Sequence, residues 1–172
     1  MAGLPLPALK LHHFSIAVRD LDESIRWYEA IFGLRLERHG SLSSPEITGR
    51  NAFLARDGIR VELWSLDGAA PVPAERLEPN TDLLTGGTKH IAFEVDGLQS
   101  VVDELVRRGV DIATVQRNQG EPHLFEEHPE TEPGTGKGPA FAAFVRDPDG
   151  TLIELLDPGQ LASSSPRSRE EK

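Results

Sequence analysis

Apolar and polar residues alternate with a period of two over Phe14, Ile16 and Val18, and again over Ile91, Phe93 and Val95. This pattern predicts two half-buried strands, each with a histidine, His13 or His90, near its start. Behind each strand the period lengthens to that of a helix. Ile25, Trp27, Tyr28, Ile31 and Phe32 mark the apolar side of the first, with Asp22 as candidate N-cap and Gly33 as its end. Val101, Val102, Leu105 and Val106 mark the second, which starts near Leu98 and stops at Gly109. Three strands are predicted after each helix. In the first half they fall near Leu34 to His39, Asn51 to Arg56 and Ile59 to Leu66, with Asp57-Gly58 as the turn between the last two. In the second half they fall near Asp111 to Val115, Ala140 to Arg146 and Thr151 to Leu156, with Asp147-Pro148-Asp149-Gly150 as the hairpin turn.

The chain thus repeats itself. Each histidine stands five residues before the valine that ends its apolar run, and an Asp-containing turn follows. Val61-Glu62-Leu63 on the last strand of one half matches Ile153-Glu154-Leu155 in the other. The expected fold class is α+β, two tandem βαβββ modules over residues 11–66 and 88–158. From His13 to Glu62 is 49 positions and from His90 to Glu154 is 64, so the second module carries about 15 extra residues, placed in a long loop over 118–138. Residues 1–10 read as an N-terminal extension, 67–87 as a Pro- and Gly-rich linker, and 159–172 as a disordered tail.

Composition narrows the chemistry. The 172 residues have 38% apolar content and no run of 18 apolar positions, which fits one soluble domain built as two halves, without a membrane span. The opening residues lack a secretory leader pattern, so the expected location is cytoplasmic. A net charge of -10 argues against a phosphate-binding surface and hence against nucleic acid as partner. Part of that charge lies in a local cluster from Glu121 to Glu132, read as a solvated loop. The absence of cysteine excludes disulfides, thiolate zinc sites, iron–sulfur clusters and a Cys nucleophile, leaving His and carboxylates as the strong metal ligands.

A strand His and a strand Glu, once per half, supply two imidazoles and two carboxylates if the halves pack with pseudo-twofold symmetry. That set suits one divalent ion, Zn, Ni, Co, Mn or Fe, with room for water. Any one of these residues alone would carry little weight; matching positions in two copies carry the expectation.

Together, His13-Phe14-Ser15-Ile16-Ala17-Val18 with Asp20-Leu21, Trp27-Tyr28 before Gly33-Leu34, His90-Ile91-Ala92-Phe93, and Asp147-Pro148-Asp149-Gly150 before Ile153-Glu154-Leu155 resemble the vicinal oxygen chelate superfamily. Its members include glyoxalase I, methylmalonyl-CoA epimerase, extradiol dioxygenases, fosfomycin-resistance enzymes and bleomycin-binding proteins. The resemblance covers roughly Leu11 to Pro158. It implies curled mixed sheets that form a metal-binding cleft, completed within one chain or across a homodimer, with ligands at His13, Glu62, His90 and Glu154. It further implies a metal-dependent, glyoxalase-like isomerisation, epimerisation or lyase reaction on a small-molecule substrate chelated through adjacent oxygens, with Glu154 and Glu62 as the groups that take and return a proton. Two alternatives stand beside it: an Fe(II)-dependent extradiol-type dioxygenase, and a non-catalytic antibiotic-binding resistance protein. Ala17 stands where glyoxalase I usually carries an Arg for the glutathione carboxylate, which points away from glutathione. Lys89 precedes His90 where the epimerases tend to show paired histidines; here the pair is His12-His13. Trp64, His123, Phe125 and His128 are further candidates to line the cleft.

Overall fold

The computed structural model of the chain describes residues 10–79, 81, 84–117 and 138–163, with side chains described as far as residue 160. The predicted loop up to residue 137, and with it His123, Phe125 and His128, lies outside the described residues. The chain divides into two units, residues 1–70 and 71–172. In each, the same βαβββ order builds one four-stranded mixed sheet, an α+β architecture.

The first unit comprises β1 (Phe14–Ala17), α1 (Leu21–Phe32), β2 (Arg35–Ser43), β3 (Thr48–Arg56) and β4 (Ile59–Leu66). Its sheet order is β1-β4-β3-β2, with β1 parallel to β4 and the other pairs antiparallel. The predicted alternation sets the faces. Ile16, Leu54, Val61 and Leu63 are buried together with Leu21, Ile25 and Tyr28 of α1, which packs on β3 and β4. Each fully buried side chain of this size contributes about 1.5–3 kcal/mol relative to exposure.

Helix α1 starts two residues earlier than its sequence suggests. Asp20, not Asp22, is the N-cap: its backbone is extended and its carboxylate accepts the N–H groups of Asp22 and Glu23, both at 3.0 Å. The helix ends at Gly33 in the left-handed region (φ 64°), where the Arg56 guanidinium donates to the Phe32 carbonyl at 3.0 Å. The Asp57-Gly58 turn has positive φ at both positions, 49° and 85°, as a two-residue hairpin of the primed type requires.

In the second unit a 3-10 turn (Ala74–Arg76) precedes β5 (Ile91–Glu94), α2 (Leu98–Arg107), β6 (Ile112–Arg117), β7 (Ala140–Arg146), β8 (Leu152–Leu156) and α3 (Pro158–Ser163). The sheet order β5-β8-β7-β6 repeats the first. Even an irregularity recurs: the register slips between Leu36 and Arg38 on β2 and between Ile112 and Thr114 on β6, so Glu37 and Ala113 are matching bulge residues. Leu98, Val102 and Leu105 form the buried stripe of α2, while Val106, expected inside, is exposed because it falls off that stripe.

Gly97 occupies the position of Asp20 and has no side chain to cap with. The cap comes from Asp157 instead, whose Oδ2 accepts the N–H groups of Gly97 (3.1 Å) and Leu98 (3.3 Å). Its Oδ1 accepts from Gln160 at 3.2 Å and so starts α3, a short helix where the tail was expected to be disordered. Arg146 ties the linker to this unit, donating to the Leu77 carbonyl and pairing with Glu78 and Asp111. Among the described residues no helix is long and apolar enough to cross a membrane.

Candidate metal centre

Parity along β1 sends Phe14 and Ile16 toward α1 and leaves Ser15 on the opposite face. His13, two residues before Ser15, continues that face, and the register pairs Ser15 with Glu62 across the parallel β1/β4 ladder. The imidazole Nε2 of His13 lies 3.3 Å from Oε2 of Glu62. In the second unit Ala92 pairs with Glu154 in the same register, and Nε2 of His90 lies 3.0 Å from Oε2 of Glu154. Each predicted His–Glu couple is therefore formed within its own module. Among the described residues no group of three or more potential ligands is gathered.

The pairs share a third member that the sequence reading missed. Phe53 pairs with Glu62 and Phe144 with Glu154 in the antiparallel ladders. Each phenyl meets its histidine edge to face with centroids 5.3 Å apart. These contacts hold the imidazole planes. Aligning the two repeats beyond the histidines and glutamates would have shown both phenylalanines.

The donor chemistry fits a divalent ion. Imidazole nitrogen and carboxylate oxygen bind such an ion at about 2.0–2.2 Å, and two such ligands at a right angle stand roughly 3 Å apart. Both pairs have this spacing. The first also has an orienting partner behind the imidazole. Arg60, which can only donate, faces Nε2 of His12 at 3.2 Å, and Nδ1 of His12 lies 2.7 Å from Nδ1 of His13. With neutral rings, a donor chain then runs from Arg60 through His12 and His13 to Glu62.

The two glutamates differ in their surroundings. Glu62 accepts from Ser15 Oγ at 2.6 Å and from the buried Asn51 amide at 2.7 Å. Burial alone would raise its pKa, but side-chain hydrogen bonds from Ser15, Trp64 and Asn51, together with His13, outweigh it and hold the carboxyl below its usual range. The matching positions around Glu154 are Ala92, Ala142 and Leu156, none of which carries a side-chain donor. Trp64, a cleft candidate, thus lies half-buried in the row next to Glu62, paired with Asn51 and Ala17.

The sequence model of the Glyoxalase/Bleomycin resistance protein/Dioxygenase superfamily matches residues 10–155. The chain belongs to this superfamily. Among curated relatives, a protein named Glyoxylase I 4 from Arabidopsis thaliana is 27% identical over 157 residues, covering 91% of this chain and 75% of the relative. A probable lactoylglutathione lyase from Synechocystis sp. is 30% identical over 154 residues, covering 85% and 93%. The chain spans about half the length of two longer lactoylglutathione lyases that it also matches. Among solved structures, a glyoxalase family protein from Enterococcus faecalis aligns with a TM-score of 0.60 at 20% identity over 86% of this chain and 97% of that one, a likeness of fold. The duplicated βαβββ order belongs to the superfamily; Ser15 and Asn51 at Glu62 are features of this chain's first module.

Proposed function

We propose that this superfamily member is a divalent-metal-dependent enzyme of the glyoxalase type, a lyase or isomerase acting on a small molecule with two adjacent oxygens. The two His–Glu pairs, His13 with Glu62 and His90 with Glu154, serve one ion, Zn, Ni, Co, Mn or Fe. The observation that carries the reading is the repetition of one donor pair, with the same register and the same supporting phenylalanine, in both modules.

The ion, when bound, supplies Lewis acidity that lowers the pKa of the C–H beside the chelated oxygens. His13 and His90 hold their Nε2 donors in place against Phe53 and Phe144. A glutamate then takes the proton from the acidified carbon, and its carboxyl group, in exchange with solvent, delivers a proton to the neighbouring carbon, so the substrate is isomerised with no net gain or loss of hydrogen. Four protein donors leave fewer open positions than the two-His, one-carboxylate arrangement of Fe(II) oxygenases, which favours proton transfer over oxygen activation.

The test is conversion of a panel of 2-oxoaldehyde–thiol adducts by the metal-loaded chain in deuterated water. The expected result is a 2-hydroxyacyl product with solvent deuterium at the carbinol carbon, abolished by chelator and restored by metal. No conversion of the panel, with oxygen uptake on catechols by the iron-loaded chain, would replace this reading with the dioxygenase one.

A further inference from the structure

Among the described residues the first module carries a device that the second lacks. Asn51 sits on β3 two residues before Phe53, paired with Trp64 on one side and Gly40 on the other. A Cβ at Gly40 would stand 2.2 Å from Oδ1 of Asn51, so the glycine makes the room in which the amide lies flat across the sheet. From there its Nδ2 reaches Oε1 of Glu62 at 2.7 Å, while Ser15 Oγ reaches Oε2 at 2.6 Å. These two donors, from two different strands and on different carboxylate oxygens, fix the torsion of that carboxylate. In the second module the volumes are reversed: Gln116 pairs with Ala142 where Gly40 pairs with Asn51, and Ala92 replaces Ser15. The pairing register matches as far as Gln116, after which β6 slips once more, between Gln116 and Arg117, where β2 runs on in register from Gly40 to Ser43.

We propose that Ser15 and Asn51 are positioning residues that lock Glu62 as a fixed metal anchor, leaving Glu154 as the glutamate free to swing toward substrate. The inference rests on the metal reading above and adds a division of labour between two residues that the repeat makes look equivalent. Gly40 belongs to the same device, since it admits the Asn51 side chain.

The test is competition titration of the metal-free full chain with Zn2+ against a chromogenic chelator, alongside urea unfolding of the same metal-free samples. Ser15→Ala and Asn51→Ala are each expected to weaken zinc binding by about ten- to a hundredfold, the usual loss when a ligand's orienting partner is removed. Ser15→Thr, which keeps the hydroxyl, is expected to bind as the wild type does. Alanine variants that unfold more easily yet bind zinc with unchanged affinity would overturn this proposal alone, by reducing the clamp to a folding contact. A wild-type chain that takes up no zinc would remove the metal reading and this proposal with it.

Discussion

Nε2 of His90 lies 3.0 Å from Oε2 of Glu154, brought there by the parallel pairing of β5 with β8. A third residue shares this part of the ladder. Ala92, two positions after His90, pairs directly with Glu154 and is too small to come between them. Among the described residues the imidazole is the side-chain partner that holds the glutamate.

That arrangement yields the first prediction. Glu154→Gln keeps the shape of the side chain and removes its basicity. Turnover of an accepted substrate should fall by about 10²- to 10⁴-fold, the usual contribution of a general base, while the circular dichroism spectrum is unchanged. Turnover equal to wild type would remove Glu154 as the base.

Glu62 makes a second prediction, in the metal-free chain. Its carboxyl is held below the ordinary glutamate value of 4.5 in the folded state. A depressed folded pKa contributes stability that is present above the unfolded pKa and is lost as pH falls through the folded one. Stability measured by urea unfolding should therefore decline as pH drops from 4.5 downward, and Glu62→Gln should flatten that part of the decline. An identical acid profile for wild type and variant would contradict the assignment.

Asp157 makes a third. It caps α2 across the fold and begins α3, accepting three backbone N–H groups. Asp157→Ala should cost about 0.5–2 kcal/mol in urea unfolding, the range for loss of a helix cap. An unchanged midpoint would show that water replaces the carboxylate without cost.

Gly33 makes a fourth. It ends α1 at φ 64°, and a Cβ there would stand 2.6 Å from the Arg56 guanidinium that caps the helix. Gly33→Ala should destabilise the chain by about 1 kcal/mol or more, since both left-handed strain and a displaced cap oppose it. Equal or greater stability in the variant would count against this account of the helix end.

The repeat made most of the fold legible. A period of two around His13 and His90, and the shared Glu on the last strands, located both modules and the strands on which each His meets its Glu, because burial on one face of a sheet imposes alternation. What escaped were features that depend on partners distant in sequence. Gly97 gives no sign that Asp157, 60 residues away, will cap its helix, and Asp22, the N-cap that the pattern suggested, yields that role to Asp20, whose extended backbone lets its carboxylate reach the first turn. Ser15 and Asn51 read as ordinary strand residues; only the register across β1, β4 and β3 brings both to Glu62. Val106 fitted the apolar periodicity of α2 but not the stripe that Leu98, Val102 and Leu105 bury.

The most direct test of the central claim is metal stoichiometry of the purified, untagged chain, by elemental analysis and by titration of the metal-free protein. One divalent ion per chain is predicted, whether the four ligands come from one chain or from two copies, and His13→Ala and His90→Ala should each weaken binding of that same ion. No metal in the purified protein and none taken up on titration, or two ions per chain of which each variant loses only one, would contradict it.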